Sequence, residues 1–234
     1  MYEAVRARPA GPSTVARLAA TAAEYGYDGL VILNPPDEPP EYDPAAIQQS
    51  YGIDVVAGLE LDPQSPNAAS GSLGHHRPET TVLALAGGPN GLNEFAVSQD
   101  KLDVLSGPMA GDVDLDHGLV QAAAHHGVKI AVELGPVLRC SGQERTHAIS
   151  DLRKLRELIE AYDAPYVVTG SPASHLELRS PRELAAVGSV AGFERAAIET
   201  GLEEWQTLAD RNRERLSADH ITPGVRRGQP GGEE

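Results

Sequence analysis

Gly29-Leu30-Val31-Ile32-Leu33 is a run without a polar side chain, bounded by Asp28 on one side and Asn34-Pro35-Pro36 on the other. A short apolar run between turn residues reads as a strand buried on both faces, which is the habit of parallel sheets. Upstream lies a helix pattern, with Ser13 as a cap, Val15, Leu18, Ala19 and Ala22 at helical spacing, and Gly26 as the stop. Before it, Tyr2–Arg6 reads as a short strand. The first 33 residues therefore spell strand, helix, strand.

The alternation continues downstream. Asn34–Pro44 is a proline-rich acidic loop, Ala45–Tyr51 a short helix and Asp54–Leu61 a third strand. Asp62–Glu79, rich in proline, glycine and serine, is predicted to be a long surface loop. Thr81–Ala86 is a strand, Gly87–Gly91 a turn, Leu92–Gln99 a short helix and Leu102–Ser106 a strand. Asp116–His126 is a helix stopped by Gly127, followed by the strand Lys129–Leu134. Ser141 and Glu144 fit a capping box that opens a helix with Ile149, Leu152, Leu155 and Ile159 on one face. Tyr166–Thr169 is the last strand, and Ser180-Pro181-Arg182-Glu183 is a second capping box. Two helices are expected after Ala191, the last ending near Leu216.

Strands alternating with helices imply parallel pairing through right-handed crossovers. The predicted fold is α/β, a (β/α) TIM-like barrel in a single domain over residues 1–216, with an open doubly wound sheet as the alternative. Residues 217–234 end in PGVRRGQPGGEE and are expected to form a disordered polar tail.

The chain has 234 residues and a formal charge of −15, with three lysines (Lys101, Lys129, Lys154) among its 19 basic residues. An acidic, lysine-poor composition suits a cytoplasm of molar salt, where the Debye length falls to about 3 Å and self-repulsion costs little. No stretch approaches the roughly 20 apolar residues needed to span a bilayer, and the N-terminus does not look like a secretion signal. Cys140, the lone cysteine, excludes an internal disulfide and a multi-cysteine metal site. The expectation is a cytoplasmic protein without a membrane partner.

Familiar catalytic signatures are absent. The sequence contains no P-loop, no dinucleotide fingerprint at Gly87, Gly88 and Gly91, and no G-x-S-x-G elbow. The pairs His75-His76 and His125-His126 are adjacent residues that point apart, a poor basis for one metal site. In a barrel, function collects at the C-terminal ends of the strands. Glu60 and Glu133 fall there and could pair on a metal, but each is better read as accepting hydrogen bonds from loop amides. Strand one supplies no histidine, so a metal cluster has too few ligands. No catalytic residue, no metal site and no protein-bound cofactor is assigned.

Arginines do fall in the right places. Arg139 follows strand six, Arg179 and Arg182 follow strand seven, and Arg145, Arg153 and Arg156 lie on the helix after Arg139. Guanidinium groups bind phosphates bidentately and keep their charge. Arg139, Arg179, Arg182 and Arg145, with His117, are the candidate phosphate-binding residues, and the resemblance set out next implies RNA as their ligand; Arg153 and Arg156 could instead pair with local acids, and Arg179 with Glu133 or Glu177.

Several segments carry a resemblance: Tyr25-Gly26-Tyr27-Asp28-Gly29-Leu30-Val31-Ile32, Leu102–Ser106, Ile130–Leu134, Val168-Thr169-Gly170-Ser171-Pro172-Ala173 and Leu178-Arg179-Ser180-Pro181-Arg182-Glu183-Leu184. Their order and spacing over positions 2–215 resemble ribonuclease P protein component 3 of archaea, the family of the 30-kilodalton subunit of eukaryotic RNase P. The acidic composition is similar to the haloarchaeal branch. The resemblance implies a barrel like that of the polymerase-and-histidinol-phosphatase (PHP) superfamily, although Tyr2–Ala7 lacks the H-x-H that active members carry. It further implies a subunit of an endoribonuclease that matures tRNA 5′ ends. The catalyst there is an RNA that cleaves precursor tRNA with Mg²⁺, so the isolated chain should be inactive. The implied partners are that RNA and a Pop5-type subunit. An independent metal-dependent phosphoesterase and a scaffold that touches only protein are the alternative readings.

Overall fold

The computed structural model describes residues 1–89, 91–111, 113 and 115–217, together with the backbone of 220–222 and 225–226. Seven parallel strands follow one another around a single curved sheet: β1 (Tyr2–Val5), β2 (Gly29–Ile32), β3 (Asp54–Leu61), β4 (Val82–Ala86), β5 (Val104–Ser106), β6 (Lys129–Glu133) and β7 (Tyr166–Thr169). Sequential order with every neighbour parallel is barrel topology, and the open doubly wound alternative is set aside.

The connecting helices are α1 (Val15–Glu24), α2 (Pro44–Tyr51), α3 (Pro66–His76), α4 (Leu92–Val97), α5 (His117–His126), α6 (Gly135–Arg139), α7 (Gly142–Tyr162), α8 (Pro181–Val190) and α9 (Arg195–Leu216). Each strand is apolar on both faces because each face meets a different layer. Leu30, Ile32, Leu83, Leu85, Leu105, Ile130 and Val132 pack outward against the helices. Ala4, Val31, Val56, Val82, Ala84, Val104, Ala131 and Val167 fill the barrel with Trp205, Leu208 and Ala209 of α9.

β7 does not pair with β1, and α9 packs against both. Side chains bridge the open seam. Glu3 of β1 accepts hydrogen bonds from the Thr169 hydroxyl and from Gly170 N at 3.1 Å, and Arg6 N reaches Pro172 O at 3.1 Å. The barrel thus has seven strands, with a helix in place of an eighth.

Three expectations are corrected. Asp62–Glu79 contains the helix α3, capped by Ser65, whose Oγ accepts from Ala68 N at 3.4 Å, with Pro66 at the first helical position. Its buried face is only Ala69 and Leu73, too thin a periodicity to stand out among glycines and serines; His75 and His76 therefore sit on a helix turn. One helix, not two, follows Ala191. Gly201 lies inside it as a close packing contact, since a Cβ there would lie 2.4 Å from Val168 Cγ2. Ser141 stands at the cap of α7 but makes no side-chain cap bond, because Gly142, at φ +56°, turns the chain away from a normal helix start. The box at Ser180 and Glu183 is complete.

Within 217–234, read as a tail without structure, His220–Thr222 and Val225–Arg226 pair as a short antiparallel hairpin. The other residues after Ser217 lie outside the described ones.

Candidate RNA interface and the barrel mouth

The inward parity that places Ala4 in the barrel brings Arg6 to its mouth, where Glu60, Ser106, Glu133 and Thr169 converge. Arg6 pairs with Glu60 Oε2, and Ser106 Oγ donates to Glu60 Oε1 at 2.6 Å. Glu133 Oε1 accepts from Gly107 N at 3.0 Å. Of the two carboxylates expected to bond loop amides, Glu133 does so and Glu60 does not. Arg6 is the cation that the sequence reading overlooked. Tracking inward parity along strand one would have found it.

Burial, then the nearby Glu60, push Glu133 above the ordinary carboxyl range, against the Gly107 N–H and the charges of Arg6 and Arg139. The network leaves a cavity of about 20 Å³, room for one water and not for a substrate. Among the described residues no three His, Cys, Asp or Glu side chains are grouped to hold a metal.

A second buried carboxyl lies at the seam. Glu3 is pushed up to about 7 by burial, partly offset by bonds from Thr169, Tyr27, Gly170 and Ala4. The Tyr27 hydroxyl lies 3.1 Å from Glu3 Oε2 and 2.8 Å from Arg179 O. One hydroxyl proton cannot serve both acceptors. With Glu3 protonated, its own proton goes to the Tyr27 oxygen, Tyr27 donates to Arg179 O, and every atom is satisfied.

Two of the candidate arginines, Arg139 and Arg179, meet on the loop that follows β7. Arg139 donates Nη1 to Gly170 O at 3.0 Å and Nη2 to Ser171 O at 3.3 Å, with Glu177 at 3.7 Å. Arg179 donates Nη1 to Leu176 O at 3.0 Å and Leu178 O at 2.8 Å; it bonds neither Glu133 nor Glu177. Both guanidinia are thus fixed to one loop, 170–178, by neutral carbonyls that orient them, and Arg139 also faces the Glu177 carboxylate. Arg182 is exposed at the start of α8. Arg145 turns back to Cys140 O at 2.8 Å, and His117 lies exposed against Tyr162, ring centres 6.3 Å apart. Arg156 pairs with Glu160 at 2.6 Å, whereas Arg153 bonds Val190 O.

The RNase P subunit p30 family matches residues 1–217. The chain belongs to that family. It is 50% identical to Ribonuclease P protein component 3 of Haloarcula marismortui over 97% of this chain and 96% of the relative. Its fold matches a chain in a cryo-EM structure of archaeal ribonuclease P with mature tRNA, at a TM-score of 0.82 and 21% identity, covering 100% of both chains. A looser likeness, TM-score 0.54 at 8% identity over 82% of this chain and 94% of the other, links it to histidinol phosphate phosphatase of Lactococcus lactis. Family membership makes the chain a protein subunit of a tRNA-processing endoribonuclease, and the barrel predicted from the strand pattern is the barrel observed.

Proposed function

We propose that this subunit holds the catalytic RNA of RNase P through the rim arginines Arg139, Arg179 and Arg182, and that the Mg²⁺-dependent cleavage of precursor tRNA belongs to that RNA. The observation that carries the reading is the pair of guanidinia anchored to loop 170–178 by carbonyls, charged and directed but without a bonded carboxylate on Arg179. Directional contacts of this kind survive molar salt better than diffuse attraction does. A Pop5-type protein partner and a cytoplasmic site of action complete the proposal. No described helix is long and apolar enough to cross a membrane. The phosphoesterase alternative loses ground because Arg6, paired with Glu60, fills the mouth that a metal and substrate would need.

The test is reconstitution of the holoenzyme in molar KCl with the chain carrying Arg139→Ala, Arg179→Ala and Arg182→Ala together. Lower cleavage of precursor tRNA and weaker crosslinking to RNA, with the fold intact, are expected. Wild-type crosslinking and turnover would overturn the assignment. Protein freed of RNA is expected to leave precursor tRNA uncut.

A further inference from the structure

Beside the mouth, and separate from the rim arginines, a cleft of about 180 Å³ opens between the loop 107–110 after β5 and the helix α7. Its walls are apolar: Met109 on one side, Ala148, Leu152 and Leu155 on the other. Its polar groups are acidic, Glu133 deep in the cleft and Asp151 on α7. Glu133 spends Oε1 on Gly107 N, and Oε2 has no hydrogen-bond partner among the described residues. The two nearby cations are committed elsewhere, Arg6 to Glu60 and Arg139 to the carbonyls of Gly170 and Ser171. That second oxygen is left to accept a bond from a donor on an incoming group.

Such walls and such a floor suit an occupant with an aliphatic stem and a cationic head. A nucleic-acid phosphate is the wrong sign, since it would meet the Glu133 carboxylate. An arginine is the right shape, because its methylenes cover apolar surface while its planar fork bonds a carboxylate in two places. We propose that this cleft receives an arginine side chain from a partner protein, stem against Met109, Ala148, Leu152 and Leu155 and guanidinium on Glu133.

Two measurements test it. First, the full chain in molar KCl is titrated with n-butylguanidinium and followed by methyl NMR. Saturable shifts confined to Met109, Ala131, Ala148, Leu152 and Leu155 are expected. Affinity should drop at least tenfold in Glu133→Gln, which retains an oxygen for Gly107 N, and in Ala148→Leu, which fills the cleft without touching Glu133. Second, a photoreactive benzophenone amino acid at Met109 is carried into the reconstituted holoenzyme. A crosslink to an arginine-bearing segment of a protein subunit is expected, lost when Ala148→Leu is added. Absence of saturable binding, equal affinity of the folded Glu133→Gln chain, or a crosslink to RNA alone would each overturn the proposal. The rim-arginine reading stands or falls separately, on its own RNA crosslinks.

Discussion

Trp205 donates its indole N–H to the carbonyl oxygen of Val168 at 2.8 Å, from a helix that stands where an eighth strand would close the barrel. Val168 lies on the free edge of β7, so its carbonyl would otherwise be buried without a partner. The indole supplies the ladder bond that a strand would have made, and its ring fills the barrel floor with Leu208 and Ala209. Trp205→Phe keeps most of the volume and loses the donor, at a cost of about 1–3 kcal/mol. Trp205→Ala adds a cavity and should cost roughly 3–5 kcal/mol. Denaturant unfolding in molar KCl checks the order. Equal losses in the two variants would show that the bond, and not the packing, closes the seam.

Glu3 makes stability fall as pH rises. Its folded value of about 7 lies above the ordinary 4.5, so the folded state binds a proton more tightly than the unfolded chain. The associated stability is full below about pH 4.5 and disappears as pH climbs through 7, a difference on the order of 3 kcal/mol. Glu3→Gln, permanently neutral, should flatten that stretch of the curve. Unfolding free energies at pH 5 and pH 7.5 for both chains decide it, and an unchanged slope in the variant would exclude Glu3 as the source.

The seam explains how much could be read in advance. Seven apolar runs in strict alternation with helices announce a parallel α/β sheet, barrel or doubly wound, because a strand buried on both faces needs no polar alternation. Closure was not legible. Nothing local distinguishes a helix that covers a sheet from one that replaces a strand, and the close approach of Val168 to Gly201 appears only in the folded chain. The rim arginines were legible from their place after strand ends. Their carbonyl partners were not, because loop 170–178 folds back on itself through Ala173 N to Glu177 and Leu176 N to Ser174, contacts without a periodic signature.

Asp103 was not singled out in the sequence, yet its carboxylate takes four donors at the barrel floor. Arg77 Nη1 and Leu83 N bond Oδ2, while Arg211 Nη2 and Asn212 Nδ2 bond Oδ1 at 2.8 and 2.9 Å. The cluster ties α9 to the N-terminal ends of the strands. Asp103→Ala leaves the buried Arg77 guanidinium without its counter-charge and should cost about 3–5 kcal/mol. Arg211→Ala removes a half-exposed partner and should cost about 1 kcal/mol or less. The measurement is unfolding free energy for the two variants, and a mild Asp103→Ala would mean that α9 is held by Trp205 and its neighbours alone.

With a charge of −15, the folded chain should gain stability from salt. Screening at molar KCl shortens the Debye length to about 3 Å and removes the repulsion among dispersed carboxylates, whereas the short ion pairs at Asp103 and Asp54 lose less. The thermal midpoint is expected to rise steadily from dilute buffer to molar KCl. A midpoint that stays level would show that the acidic surface is not an adaptation to salt.

Arg179 separates orientation from stability. Its backbone carbonyl receives the Tyr27 hydroxyl, and among the described residues its side chain donates hydrogen bonds to the carbonyls of Leu176 and Leu178. The complete capping box at Ser180 and Glu183 fixes the chain immediately after it. Removing the side chain therefore breaks two bonds to neutral acceptors near the surface and strands no buried charge, a loss of about 1 kcal/mol. If the guanidinium meets an RNA phosphate, Arg179→Ala should lower holoenzyme affinity for this subunit about tenfold, or 1.4 kcal/mol, with the melting temperature in high salt almost unchanged. The salt slope of assembly should fall by about one ion. Glu177→Gln provides the contrast, because it sits on the same loop but bonds Ala173 N and faces Arg139. It should leave assembly intact or tighten it by freeing Arg139. An Arg179→Ala chain that melts early, yet assembles and cleaves normally per folded molecule, would make the residue a strut of the loop and move the RNA contact to Arg139 and Arg182.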